Sequence, residues 1–412
     1  MKFFRKHTLL TRTLWMLFFL IILLVGQAIT LPGIDPAVAH VALEKQTYLQ
    51  FLGVAVGGQF SVPTLFTLGL GPYMTGLIIW QAIAALDLDS VNRLSINQTG
   101  YIQKLITLVL AFLQAYPILQ YVQPALETVY FGNTEVPTDL INFGAVLILV
   151  AGAMFTVFLG NLNNDKGLGG ISMMILPGVL MGLPKTLQVG WGNFDYKLTT
   201  PHLIIAVIVT LVVIIALVML LQIELRIPLQ KPLMEGSGSK SYLPFKLLIA
   251  GAMPFMFSST LFMLPRNLVQ GSYDVSHSGF GKWVLLLTDQ QTILGIINYG
   301  VIIMILTYAF GFITVQPLRL TKQMKENNEY IFQVFPGSDT SSYLLKRFFT
   351  MATFGGLALV IMALIPLIIG LHVSGIANYT LYIGSVAILV TLIKVLWDQI
   401  LALYSKNRYR IF

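Results

Sequence analysis

Ten apolar runs without a single Asp, Glu, Lys or Arg divide this chain: residues 13–34, 64–86, 105–126, 140–164, 167–184, 198–223, 247–265, 290–318, 348–371 and 373–393. Each is close to the ~20 residues that a helix needs to cross a bilayer core. Of the 412 residues, 56% are hydrophobic and 10% charged. A soluble domain carries about 25% charged residues, so too little polar surface exists here to face water. Ten spans leave no room for a large soluble domain. The fold class expected is an all-α polytopic membrane protein.

The first run follows Lys2, Arg5, Lys6 and Arg12, and Ala37-Val38-Ala39 imitates a signal-peptide cleavage site. The run exceeds a usual signal core and more spans follow, so an uncleaved first span is expected. Gln46–Ser61 is mildly apolar, too short to cross, and broken by Gly53, Gly57 and Gly58. A re-entrant helix surrounded by other protein suits it.

Ten spans put both termini on one side. Twenty of the twenty-five Lys and Arg residues then fall on that side. By the positive-inside rule it is the cytoplasmic one. The formal charge of +8 is thus a topology signal, and no nucleic acid partner is expected from it. Five spans on either side of a break near Trp191–Thr199 suggest two halves, 1–192 and 193–412, without a recognised repeat. The largest polar segments, 224–246 and 319–347, are both cytoplasmic.

No cysteine is present, which excludes disulfides and thiolate chemistry. None of the ten runs contains a carboxylate, so ion coupling has no midplane group to use. Asp87-Leu88-Asp89 resembles a metal–nucleotide-sugar motif, but two acids at a span end are ordinary. Gly236-Ser237-Gly238-Ser239-Lys240-Ser241 lacks the spacing of a phosphate loop and reads as a flexible linker. No catalytic residue, metal site or cofactor is expected. The unusual feature is glycine and proline inside apolar runs: Gly69-Leu70-Gly71-Pro72-Tyr73, Gly167-Leu168-Gly169-Gly170-Ile171 and Gly251-Ala252-Met253-Pro254. They suit either close helix packing or broken helices beside a pathway. Arg319, Lys322 and Lys325, spaced by three after Pro317, lie on one face of a helix continuing the eighth run. With Lys346 and Arg347 they provide topogenic charge or a docking face for an acidic partner.

In order along the chain, Phe66–Tyr73, Lys166–Ser172, Gly182-Leu183-Pro184, Leu243–Lys246 with Ala252-Met253-Pro254 and Ser258-Ser259, Pro317, and Pro336-Gly337 resemble the SecY family of protein-export channels. The resemblance implies a ten-helix clamshell of two halves around an hourglass pore. It implies a plug helix near 50–62, with Gly53, Gly57 and Gly58, and a lateral gate between the spans at 64–86 and 247–265. The pore ring would be Leu70, Met74, Ile171, Ile175, Met256 and Leu396. Flexible apolar side chains suit a seal that sheds water yet yields to an extended chain. Arg319, Lys322, Lys325, Lys346 and Arg347 would dock a SecA-type motor ATPase, the chain itself being a passive conduit and no enzyme. SecE-like and SecG-like small subunits, unfolded preprotein and membrane lipid would be the other partners, in the bacterial cytoplasmic membrane.

Phe335 stands where the family usually has an arginine before Pro-Gly, and loop 224–246 is short. Both features resemble the accessory SecY of Gram-positive bacteria, which works with an accessory SecA and exports serine-rich glycosylated adhesins. The alternatives are a housekeeping SecY, a small-solute secondary transporter, and a membrane glycosyltransferase resting on Asp87 and Asp89.

Overall fold

The computed structural model describes residues 8–44, 62–85, 91, 93–126, 130–131, 134–135, 137–188, 200–230, 241–270, 278–289, 291–372, 376 and 378–408. Segment 46–61 with Gly53, Gly57 and Gly58, the pair Asp87 and Asp89, and the tip 231–240 lie outside the described residues.

The helices are α1 (Thr8–Ala28), α2 (Pro36–Glu44), α3 (Gly71–Ala85), α4 (Ile96–Val122) and α5 (Thr138–Lys166). A 3-10 turn (Ile171–Ile175) leads into α6 (Leu176–Gln188), followed by α7 (Thr200–Gln222), α8 (Met253–Gln270) and α9 (Gly279–Leu287). The remaining helices are α10 (Ile293–Val315), α11 (Pro317–Glu326), α12 (Ser338–Gly370) and α13 (Asn378–Arg408). Each of the ten apolar runs forms a helix. Among the described residues, seven helical stretches are long and apolar enough to cross a bilayer. The other three runs form α3, the 3-10 turn with α6, and α8. These are the three runs that carry the glycine clusters, and each spends its first residues on a turn.

The chain packs as two compact units. The first contains Met1–Leu77, Ile96–Gly190 and Ile388–Phe412; the second contains Ile78–Ser95 and Trp191–Ala387. In the first, α5 touches α1, α4 and the 3-10 turn, and is the most buried of the seven long helices. In the second, α10 lies between α8 and α12. Outward faces carry Leu105, Leu113, Val212, Ile215 and Phe354, all exposed, as suits a surface solvated by lipid.

The turns before α3 and α8 are built alike, 182 residues apart. The Leu65 N–H donates to the Ile29 carbonyl just after α1 (3.0 Å), and the Leu247 N–H to the Ile223 carbonyl just after α7 (2.9 Å). Gly69 N–H bonds Phe66 O and Gly71 N–H bonds Leu68 O; Gly251 N–H bonds Leu248 O and Met253 N–H bonds Ala250 O. Gly69 and Gly251 have φ of 51° and 56°, a left-handed conformation that costs glycine nothing. A glycine of a neighbouring helix packs on each turn: a Cβ at Gly152 would overlap the Leu65 carbonyl, and one at Gly355 the Leu247 carbonyl.

Helix is not the whole of the fold. Strands β1 (Tyr130–Phe131) and β2 (Thr134–Glu135) form a small hairpin. Strands β3 (Glu224–Gln230) and β4 (Ser241–Lys246) form a second one, and β5 (Tyr330–Ile331) pairs with the far end of β3 through Leu229 and Gln230. Segments 224–246 and 319–347 are therefore one module. Ile227, Phe245, Met324, Ile331, Leu344, Phe348 and Ala352 form its buried core.

The eighth run does not continue as one helix into the basic segment. Gln316 adopts φ 46° and ψ 60° and ends α10, its N–H bonding Phe312 O at 2.9 Å. Pro317 has no N–H for the helical ladder and disfavours the helical conformation in the residue before it. α11 starts anew from Pro317.

Candidate functional site

The residues expected to line a pathway sit on the three shortened helices and on α13. Leu70 ends the first glycine turn, and Met74 is the fourth residue of α3, its N–H bonded to Leu70 O at 2.9 Å. Met256 is the fourth residue of α8, its N–H bonded to Ala252 O at 3.2 Å. Met74 and Met256 thus occupy the same step of the two matching turns. Leu70 and Ile175 are almost wholly buried and Met74 and Met256 are 9% exposed, while Ile171 and Leu396 are half-buried. None of the six belongs to the exposed apolar face. Met256 lies in the second unit and the other five in the first.

The matching pattern was legible in the residues. Gly69-Leu70-Gly71-Pro72-Tyr73-Met74 and Gly251-Ala252-Met253-Pro254-Phe255-Met256 share glycine, proline, an aromatic and methionine at equal spacing. The sequence reading had treated the two clusters separately and had found no repeat.

Ile171 and Ile175 are held by a clamp that the motif reading missed. Asn163, fully buried near the end of α5, donates through Nδ2 to Leu168 O (2.9 Å) and Gly170 O (2.7 Å). Gly169 N–H donates to Gln399 Oε1 of α13 at 2.7 Å. Gly169 and Gly170 have φ of 78° and 65°, and a Cβ at Gly167 would run into Asn163. Ile171 itself packs on Gly160 of α5. The available signal was a cluster of asparagines, Asn161, Asn163 and Asn164, about one turn before a glycine-rich run. Asn163→Ala is expected to cost about 1–3 kcal/mol, because two buried carbonyls lose their donor. Thermal unfolding in detergent would measure this, with Gln399→Ala, on an exposed residue, giving the smaller loss.

Other described polar side chains on these helices are hydrogen-bonded across helices. Ser258 Oγ of α8 lies 3.1 Å from Tyr299 OH of α10, and Gln114 Nε2 of α4 lies 3.5 Å from Thr75 Oγ1 of α3. Lys394 and Asp398 pair at 2.7 Å on α13, flanking Leu396. Among the described residues no cluster of His, Asp and Glu suited to a metal occurs. Among the described residues, the arrangement presents apolar side chains on glycine-broken helices.

The basic residues expected to dock a partner belong to the sheet module. On α11, Pro317, Thr321 and Met324 are buried, while Arg319, Lys322 and Lys325 are exposed. Lys346 and Arg347 are exposed on the first turns of α12, with Arg347 over the Tyr343 ring at 5.1 Å. Phe332 and Phe335, between β5 and α12, are 60% and 78% exposed. No other described large apolar residue is as exposed as Phe335.

A family model described as SecY matches residues 64–398. The accessory Sec system protein translocase subunit SecY2 of Leuconostoc gelidum subsp. gasicomitatum is 29% identical over 417 residues, covering 98% of this chain and 96% of that protein. Protein translocase subunit SecY 1 of Lactobacillus kefiranofaciens subsp. kefiranofaciens is 28% identical over 387 residues, covering 88% of this chain and 87% of its own. A solved protein-conducting channel superposes with a TM-score of 0.57 at 18% identity, covering 95% of this chain and 92% of that one. At that identity the likeness shows the fold alone.

Proposed function

This chain belongs to the SecY family, and from that premise we propose that it is the pore-forming subunit of a protein-export channel of the accessory Sec type. The observation that carries the reading is the paired turn. Two helices begin with the same glycine-proline device, and each presents a buried methionine at its fourth residue. Methionine is unbranched and adaptable, so it seals without demanding one shape of what passes. Leu70, Ile171, Ile175 and Leu396 complete the ring in this proposal, and residues 50–62 supply a plug.

The accessory subtype draws support from the Leuconostoc relative, whose match spans nearly both chains, and from exposed Phe335 where a family member usually carries arginine. Serine-rich glycosylated adhesins are the exported class that this subtype implies. A separate SecA-type ATPase supplies the work. It docks on the module of β3, β4, β5 and α11, with Arg319, Lys322, Lys325, Lys346 and Arg347 offering charge. SecE-like and SecG-like subunits complete the assembly in the bacterial cytoplasmic membrane, with both termini cytoplasmic.

The absence of cysteine makes the test direct. In the intact chain, Met74→Cys and Met256→Cys should each crosslink to a stalled export substrate. Leu105→Cys, 64% exposed on the lipid face, should not. Equal crosslinking at all three positions would end the conduit reading. Saturable small-solute uptake by the purified chain without a motor would favour the transporter instead.

A further inference from the structure

Helix α9 does not fit the role of a simple connector. It is nine residues long, Gly279–Leu287, about 14 Å at 1.5 Å per residue, and cannot span a bilayer. Its inner face is tied down. Gly281 is buried, and the Ser278 hydroxyl caps the first turn by accepting from Gly281 N–H at 3.0 Å. Just beyond its end, the Thr288 carbonyl accepts from Arg266 Nη1 of α8 at 3.2 Å, and Asp289 lies 3.9 Å from the same guanidinium.

The outer face is apolar and exposed. Phe280 is 73% and Trp283 67% exposed, followed by exposed Leu286 and Leu287. Residues 280, 283 and 287 share one stripe of a helix. Lys282, also exposed, stands beside that stripe.

Two contacts set the level of α9 along its neighbour. Asn298 Nδ2, in the second turn of α10, donates to Leu287 O at 3.0 Å, and Thr292 Oγ1 donates to Leu286 O at 3.2 Å. The C-terminal end of α9 therefore lies beside the first turns of a membrane-crossing helix. There the outward stripe of α10 begins with exposed Ile293, Leu294 and Ile297, and continues through Val301 and Ile305. The C-terminal end of the α9 stripe, at Leu286 and Leu287, is therefore level with the start of the lipid-facing stripe of α10. A Phe-Trp-Leu face at that height, with a lysine alongside, has the chemistry of the bilayer interface, where Trp rings and basic side chains settle at headgroup depth.

We infer that α9 is an interfacial anchor, with Phe280, Trp283, Leu286 and Leu287 inserted among lipid headgroups and upper acyl chains and Lys282 at the phosphates. Through Arg266 the anchor also holds the C-terminal end of α8, the helix that carries Met256. The inference concerns what covers this face, and it stands whether or not a polypeptide passes the channel.

The test uses the intact chain in vesicles of phosphatidylglycerol and phosphatidylcholine. Phe280→Cys, Trp283→Cys and Lys282→Cys are labelled singly with a nitroxide, with Leu105→Cys as a deep lipid-facing reference. At 280 and 283, oxygen collisions should exceed those of a water-soluble nickel chelate by roughly threefold, with the ratio at 282 lower. Removing anionic lipid should leave the 280 and 283 ratios nearly unchanged, because apolar burial carries the anchor. Nickel dominating at 280 and 283 would mean that the stripe faces water. Low collision rates with both probes would mean that protein, a second copy or another subunit, covers it. Either result overturns the inference.

Discussion

Gly152→Ala should cost about 3 kcal/mol although alanine is the better helix former, and Gly355→Ala should cost a similar amount. In each case the added methyl meets a backbone carbonyl rather than a movable side chain. At Gly152 the obstacle is Leu65 O, and at Gly355 it is Leu247 O. Neither carbonyl can retreat alone, since Leu65 and Leu247 are tied through their own N–H groups to Ile29 and Ile223. Relief must come from displacing the whole turn, and with it the first turn of α3 or α8. Midpoints of thermal unfolding in detergent should fall for both variants, and crosslinking of export substrate at Met74 or Met256 should fall with them. Gly100→Ala and Gly144→Ala are the controls, because nothing lies within 4 Å of a Cβ at either position. Both should stay within about 1 kcal/mol of the parent. Equal behaviour of all four would mean that the helices separate freely at these crossings, contrary to the close approach described.

Phe348→Ala should cost about 3–5 kcal/mol, with its damage centred on the sheet module. Phe348 is fully buried. It packs edge-on against Phe312 at 6.1 Å and Phe349 at 5.2 Å between ring centroids, and touches the backbone position of Gly311. Its neighbours in the core come from β3, β4, α11, β5 and α12, so one cavity loosens both loops together. Limited proteolysis should then cut faster than in the parent both at the β3–β4 hairpin and within 319–347. Under the proposed function, export should drop as well. Arg319→Ala and Lys325→Ala, on exposed side chains, should leave unfolding unchanged. Proteolysis of only one loop in Phe348→Ala would show that the two are independent.

Uninterrupted apolarity was sufficient to find ten of the helices, because a bilayer demands an unbroken stretch and punishes charge; the short α2 and α9 lie outside the runs. The ten runs correspond to α1, α3, α4, α5, α6, α7, α8, α10, α12 and α13. Their true lengths were less legible. Gly69, Gly169, Gly170 and Gly251 adopt left-handed conformations, so α3, the 3-10 segment with α6, and α8 begin several residues late. A run of apolar letters looks the same whether its first residues are helix or turn. The hairpin of β3 and β4 was hidden by Pro228 and Pro244, residues that ordinarily argue against a strand. It forms because neighbours supply what those strands lack: β5 pairs only with Leu229 and Gln230, and a shared core covers one face. The basic segment had been expected to continue the eighth span, and left-handed Gln316 separates it instead.

The order of charged and uncharged residues by itself determined that this is a membrane chain of ten apolar runs, broken by glycine at three places. Those properties follow from the cost of placing charge in hydrocarbon, which is paid residue by residue and can be read along the chain. Only the tertiary structure decided that Gly152 and Gly355 pack on the turns before α3 and α8, that Asn163 and Gln399 clamp the turn before Ile171, and that two distant loops share one sheet. These depend on hydrogen bonds and close contacts between segments up to 230 residues apart. Such contacts have no period in the sequence, because packing selects partners by position in space.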